Sequence, residues 1–312
     1  MYKGTLLPRS MPVLQNHRAI AIIRIRNIGN YIIISVDFPL LFLPTAEIGQ
    51  GVPMNKNLLE FDMAVGREKP VTIFTQENAC PFCDTDHLTD IIDRDGTIIL
   101  LRNKYNVLKG TEQFVLIEGD ACQSDMPAYS RAHMHRLIRF GIHHWLRLKN
   151  SGEYADVIFF KNFGPLSGGT IRHPHMQYIA FPALTEPLTV QPEEFSGPVI
   201  YEQGQVKMTV SEQPHIGFWE FNLIATAQDS ATIDTLADYI QLGTDYLTHH
   251  FHKRCNSYNI FFYEREGTIY VKLTPRFATP PIYIGYNLRV RPSNYQDAIA
   301  ELHHIYGTSP FA

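Results

Sequence analysis

Apolar and polar positions along the chain follow one pattern twice. A run of apolar residues over 114–118 predicts a strand. Ser130 then offers an N-cap, and Met134, Leu137, Ile138, Trp145 and Leu146 recur at helical spacing, so a helix is predicted over 130–149, closed by Ser151-Gly152. A strand over 157–161 follows, then a glycine-rich loop, then a strand ending in the apolar run 178–181. The order repeats with similar spacing: a strand over 218–225, a helix from Ile233 to about His250 after a Ser/Thr-rich cap, and strands over 259–263 and 268–273. Such a repeat implies internal duplication of a strand–helix–strand–strand unit. Pro187, Pro192 and Pro198 mark 184–198 as the linker between copies.

Residues 1–53 have a different texture. Two β-branched runs, 19–26 and 31–36, lack an evident partner, and a Gly/Pro-containing stretch at 49–53 precedes Met54-Asn55-Lys56, which reads as a natural start. Either these residues form an extension dispensable for activity or they form an edge hairpin. The chain therefore divides into residues 1–53, 54–186 and 187–312.

Composition narrows the class. Hydrophobic residues make up 45% and charged residues 19%, as in an ordinary globular protein. A net charge of −4 gives no general field that would recruit nucleic acid or an anionic membrane. The apolar stretch 19–44 is interrupted by Arg24, Arg26 and Asp37, each costing about 2.5–3.5 kcal/mol near a bilayer centre, so no transmembrane helix is expected. Four cysteines are too few to staple 312 residues and include a Cys-x-x-Cys pair, which points to a reducing, cytoplasmic setting.

The chemistry concentrates in His173-Pro174-His175-Met176-Gln177. On a strand, His173, His175 and Gln177 share one face. A neutral imidazole held between polar neighbours can attack phosphorus. Just before it, Asn162, Ser167, Gly168, Gly169, Thr170 and Arg172 supply the amides, hydroxyls and guanidinium of a phosphate cradle. Only the first copy has this row.

Cys80-Pro81-Phe82-Cys83 reads as a zinc knuckle, with a thioredoxin-like redox pair as the rival. Cys122 and His173 would complete a closed, structural site with three thiolates. Cys122 reads alternatively as a buried small hydrophobe or free thiol, with His87 as a reserve ligand. His133 and His135 diverge on a helix and cannot share a metal. His249, His250 and His252 read as a solvated helix end, and Cys255 as a non-ligand.

Together these motifs resemble the galactose-1-phosphate uridylyltransferases, a branch of the histidine-triad-like superfamily. The match rests on Cys80-Pro-Phe-Cys83, on Asn162, Gly164 and Ser167-Gly168-Gly169-Thr170, and on His173-Pro-His175-x-Gln177, with an echo at Pro275 and Gly285-Tyr286. The resemblance implies an α+β fold of two tandem histidine-triad-like units, antiparallel sheets with packed helices. It implies a nucleotidyltransferase that moves a nucleoside monophosphate between a nucleotide sugar and a sugar phosphate. His175 would be the nucleophile, Gln177 would bond the transferred phosphoryl group, and one structural zinc would sit on Cys80, Cys83, Cys122 and His173. Asn162, Ser167 and Thr170 would contact phosphates, and Asn103 would lie near the nucleoside; a homodimer is the family's assembly. Departures are Cys122 for a histidine, Lys104 for an acid beside the ribose, Tyr270 and Lys272 for a second metal-binding pair, and Pro281 and Asn287 for hexose-holding residues. Arg276, Arg289 and Arg291 remain as cations for an anionic acceptor. Phosphorolysis or hydrolysis of a nucleotide sugar or dinucleotide, and zinc-stabilised nucleotide binding without turnover, are the alternatives.

Overall fold

The computed structural model describes residues 22–28, 31–37, 57–73, 80–216, 219–253 and 255–311. The chain divides into two units, 1–54 and 55–312. In the first, β1 (Ile22–Ile28) and β2 (Tyr31–Asp37) pair antiparallel, from Ile22 opposite Asp37 to Ile28 opposite Tyr31. The two β-branched runs are therefore each other's partners. Residues 49–56, with the expected start at Met54, lie outside the described residues.

The second unit opens with a short helix, α1 (Met63–Glu68), and the strands β3 (Ile91–Asp95), β4 (Ile98–Arg102) and β5 (Glu112–Ile117). Helix α2 (Arg131–Lys149) and strands β6 (Asp156–Phe163) and β7 (His175–Phe181) complete its first half. The second half runs β8 (Val199–Gln203), β9 (Val206–Val210), β10 (Phe221–Ala225), α3 (Ser230–Asp245), β11 (Tyr258–Arg265) and β12 (Thr268–Pro275). Helices α4 (Pro281–Tyr286) and α5 (Tyr295–Tyr306) follow.

All ten strands form one antiparallel sheet in the order β3-β4-β5-β7-β6-β11-β12-β10-β9-β8. Outward from the central β6·β11 pair, each half follows the same sequence of strands. The repeat is longer than the sequence pattern predicts, because each copy also carries a leading hairpin, β3-β4 or β8-β9. This is an α+β architecture.

Helices α2 and α3 cover one face. Met134, Leu137, Ile138 and Trp145 are buried as predicted, whereas Leu146 is only partly buried and His144 goes inside. Ser130 caps the helix by accepting from the His133 backbone N–H at 3.2 Å. The helix meets the sheet at Gly141, where a Cβ would come 2.9 Å from Phe159 Cζ, and the Tyr178 hydroxyl donates to its carbonyl at 3.0 Å. Strand β5 is apolar from Phe114 to Ile117, where residues on both its faces are buried. Phe114 and Leu116 meet the helices, while Val115 and Ile117 join Ile99, Leu101 and Phe82 on the opposite face.

Several expectations need correction. His173 precedes β7, whose ladder begins at His175; Pro174 has no N–H to give, though its carbonyl accepts from Glu118 N at 3.1 Å. The second helix ends at Asp245 and passes into a π-helical turn, Tyr246–Phe251. The 184–198 linker contains a 3-10 turn, Pro192–Phe195, that buries Phe195. The second-copy strand begins at Phe221, and Phe218 lies outside the described residues.

Behind the histidine strand, on the helix face, Lys161 and Glu118 are both fully buried and paired. Asp125 Oδ1 lies 3.7 Å from the same ammonium and accepts from the Tyr258 hydroxyl at 2.5 Å, while its Oδ2 has no partner. Burial pushes the Asp125 carboxyl up to about 6, against the pull of Lys161. A carboxyl raised above its unfolded value near 3.9 favours the fold at low pH and loses that contribution as pH rises through the folded value. Wild type is expected to lose about 2–3 kcal/mol between about pH 4 and pH 6 relative to Asp125→Asn. Urea unfolding of both proteins across that window checks this, and a pH-independent difference refutes it.

Candidate functional site

The face opposite α2 and α3 holds a cavity of about 400 Å³ over the first half of the sheet. His175 and Gln177 alternate onto this face from β7, and Val115 and Leu101 form its apolar floor. Phe82, in the turn between Cys80 and Cys83, stands edge-on to both imidazoles, at 5.9 Å from His173 and 5.4 Å from His175.

The His175 ring is fixed by its own backbone neighbourhood. Its Nδ1–H donates to the His173 carbonyl at 2.8 Å, which assigns the proton to Nδ1 and leaves Nε2 with a free lone pair. Burial pushes its pKa down to about 4, with the Lys161 and Lys69 ammoniums adding to the shift and the His173 carbonyl opposing it. The imidazole is therefore neutral throughout the physiological range.

Cys80, Cys83, Cys122 and His173 converge, with all four ligand atoms within 4.8 Å of one another. Both Cys80 Sγ and Cys83 Sγ lie 3.6 Å from His173 Nδ1. Ligands at about 2.0–2.3 Å from a tetrahedral ion stand about 3.5–3.8 Å apart, so these residues can bind a metal ion. His173 donates its Nε2–H to the Gly119 carbonyl at 2.8 Å, which turns Nδ1 toward the sulfurs. Burial works against ionisation of Cys80, but the His173 ring and neighbouring groups outweigh it and bring the thiol down to about 6. Burial and the other thiols push Cys83 up to about 12. His87 stays outside, exposed and bonded to Asp84 at 2.7 Å. His133 and His135 turn to different partners, the Glu118 carbonyl and Asp238. Cys255 is buried beside the Ser257 carbonyl.

Asn162 near the end of β6 and Gly168, Gly169 and Thr170 of the glycine-rich loop line the cavity. Ser167 turns inward instead, donating to the Gly164 carbonyl at 2.7 Å and accepting from Gly169 N at 3.3 Å. Arg172 is not among the lining residues, and its positive charge favours the thiolate of Cys122. Asn103 lines the far end and accepts from Tyr105 N at 2.9 Å, which leaves its amide N–H groups for a ligand. Lys104 lines the same end. Of the three arginines, Arg289 sits 3.7 Å from Glu194, and Arg276 donates to Asn259 at 2.6 Å.

Sequence reasoning missed Lys69. It lines the cavity, its pKa is lowered by burial, and no ion pair engages it among the described residues. Its segment is stitched to the loop: Thr72 N and Ile73 N donate to the Thr170 carbonyl, and Arg172 N donates to Thr72 Oγ1. No spacing signal marks a lysine that reaches the site from about a hundred residues away in sequence.

In the second half, β12 presents Lys272 where β7 presents its histidine and amide. Lys272 is fully buried, donating to the Glu194 and Gln213 carbonyls, Ser211 Oγ and Asn222 Oδ1 at 2.8–3.2 Å, with Glu220 at 3.3 Å. Phe195 lies over it at 5.0 Å.

Among solved structures, the chain is similar to a DUF4931 family protein from Bacillus cereus, with 40% identity over 69% of this chain and 98% of that one and a TM-score of 0.62. It shares its fold with a uridylyltransferase (12% identity, 73% and 91% of the two chains, TM-score 0.60). It also shares it with an ADP-glucose phosphorylase from Arabidopsis thaliana (13%, 76% and 91%, TM-score 0.58). A search of curated proteins found no match. Family models described as the N-terminal and C-terminal domains of DUF4931, a domain of unknown function, match residues 61–184 and 187–307. On these matches and the 40% identical relative, the chain belongs to the DUF4931 family.

Proposed function

We propose that the protein is a nucleotidyltransferase that moves a nucleoside monophosphate from a nucleotide sugar to a sugar phosphate through a covalent nucleotidyl-His175 intermediate. The observation that carries this reading is a neutral imidazole in the cavity with Nδ1 tied to the His173 carbonyl and Nε2 unprotonated. The Nε2 lone pair forms a bond to the α-phosphorus, and the bond from that phosphorus to the bridging oxygen breaks. The electron pair leaves with the departing phosphate. In the second step an oxygen of the acceptor phosphate attacks, the P–N bond breaks, and His175 returns to its neutral form. Gln177 donates its amide N–H to a non-bridging oxygen, and Asn162 with the amides of Gly168 and Gly169 cradles the phosphates. An amide cannot act as a general base toward water, which favours transfer over hydrolysis. The shared fold with a uridylyltransferase and an ADP-glucose phosphorylase is consistent with this chemistry.

A second reading, phosphorolysis, is favoured by one observation. Helix α4 carries Pro281 in its first turn and ends at Asn287 in the left-handed region, so the positions that would hold a hexose phosphate offer no charge. A smaller acceptor such as inorganic phosphate suits that site.

With α-labelled UTP, ATP, UDP-glucose and ADP-glucose, wild type is expected to acquire a base-stable, acid-labile label that His175→Ala lacks. Chase with sugar phosphate, inorganic phosphate or buffer alone distinguishes transfer, phosphorolysis and hydrolysis. Absence of label with every donor would leave nucleotide binding without turnover.

The four-residue cluster is proposed to hold one structural zinc ion. Three thiolates and His173 would fill its coordination sphere, leaving the ion to fix the start of β7 rather than to meet substrate. Metal analysis is expected to find one zinc per chain, lost in Cys80→Ser, with a lower melting midpoint after chelation. A full complement of zinc in that variant would refute the assignment.

The two halves, 54–186 and 187–312, are read as tandem histidine-triad-like units, the second without a nucleophile. Nucleotide sugar and sugar phosphate are the proposed partners, in a cytoplasmic protein for which the family resemblance suggests a homodimer. Residues 1–53 are proposed to be dispensable. A chain beginning at Met54 is expected to remain soluble and to label at the wild-type rate; an insoluble or inactive product would show that the leader belongs to the functional unit.

A further inference from the structure

The half without the histidine row reaches into the phosphate cradle through a hydrogen-bonded relay. Asn259 on β11 stands directly opposite Asn162 on β6. It is 1% exposed, and its Nδ2 donates to Asn162 Oδ1 at 2.6 Å and to the Ser167 carbonyl at 3.1 Å. Its Oδ1 accepts from Arg276 Nη1 at 2.6 Å. The guanidinium is half-buried just past β12, and no carboxylate pairs with it among the described residues. Burying a cation without an anion costs stability, so a purely structural role would be served better by an apolar side chain.

The relay fixes the direction of two amides. Arginine can only donate, so the Asn259 atom facing it is the oxygen. The Asn259 amide nitrogen then faces Asn162, and the Asn162 atom receiving it must be its oxygen. The remaining Asn162 atom, Nδ2 with two N–H donors, is left for the cavity that this residue lines. The same stretch of the second half also anchors the loop. Leu166 N donates to Ser257 Oγ at 3.0 Å, and Arg276 N donates to the Ser257 carbonyl at 2.8 Å. Gly164, at φ +81°, packs so tightly that a Cβ would come 2.1 Å from the Asn256 carbonyl oxygen.

We propose that Arg276 is a positioning residue of the nucleotidyl site, which through Asn259 holds the Asn162 carboxamide with its N–H groups toward the phosphoryl group. This rests on the nucleotidyl-transfer reading for its chemistry but not for its geometry. Reversing the polarity at Asn259 would turn the Asn162 oxygen toward an anionic ligand.

The test compares full-length wild type, Arg276→Met, Arg276→Lys and Asn259→Asp. The first readout is the rate of label incorporation at saturating donor. Arg276→Met is expected to slow it about ten-fold and Asn259→Asp about 10²-fold. Arg276→Lys keeps a donor and is expected to restore most of the rate, with melting midpoints within about 2 °C of wild type. Arg276→Met at the wild-type rate, or Arg276→Lys as slow as Arg276→Met, overturns the proposal. If wild type takes no label, the transfer reading fails and the relay is judged by NMR of the Asn162 side-chain amide during titration with inorganic pyrophosphate. A shift in wild type that Arg276→Met abolishes supports the relay; an unmoved wild-type signal overturns it.

Discussion

The antiparallel pairing of β6 with β11 is the constraint on which the rest of the unit depends. Without it, each half would be a five-stranded sheet with a long unpaired edge, which proteins cover or charge because it templates association. The pairing turns two such edges into the middle of one ten-stranded sheet. Net backbone hydrogen bonds contribute only about 0.5–1.5 kcal/mol each, so the larger effect is that no buried edge goes unsatisfied. Aromatic packing follows the same line. Phe262 of β11 stacks on Phe159 of β6 at 4.5 Å, and Phe159 stacks on Tyr178 of β7 at the same spacing. On the other face, the same register sets Asn259 against Asn162. One backbone alignment thus fixes the core beneath the sheet and the polar relay above it.

The halves differ most where their topology agrees. Strand β7 presents His175 and Gln177 to an open cavity, whereas β12 presents Lys272 to a closed shell of oxygens under Phe195. An ammonium so enclosed satisfies three donors and balances Glu220, which makes it a filled site rather than a receptive one. Burial lowers the Lys272 pKa, and the neighbouring carboxylates oppose that shift. A half that has filled its own site remains able to shape the other's, which is what Ser257, Asn259 and Arg276 do.

Much of this was legible in the sequence where the signal is local. Helical periodicity located α2 with its cap at Ser130, and Cys80-Pro-Phe-Cys83 with the histidine row identified residues that meet in the cysteine–histidine cluster and the cavity. Longer-range features were not legible. His173 was expected on the strand because a period-two pattern does not register that Pro174 delays the ladder. Ser167 looked like a ligand contact from its type, yet its hydroxyl closes the turn of its own loop. Lys69 and Arg276 arrive from about 100 residues to either side of the cradle, and their roles depend on which backbone atoms the intervening strands bring close.

The low pKa of His175 has two opposing consequences for a nucleophile at that position. A less basic nitrogen attacks phosphorus more slowly, since nucleophilicity falls with basicity. It is also always unprotonated at neutral pH, so no fraction of the protein waits in an unreactive form. The same weak basicity would make the imidazole a better leaving group in the proposed second step, when an acceptor oxygen displaces it. A reaction that forms and then breaks one P–N bond gains nothing from a very stable intermediate, which would slow the second half as much as it speeds the first. Burial sets this balance, and Phe82, in the turn between Cys80 and Cys83, packs against the His175 ring as part of it. The Cys80, Cys83, Cys122 and His173 cluster and His175 are therefore linked through one aromatic ring as well as through Pro174, the single residue between the two histidines.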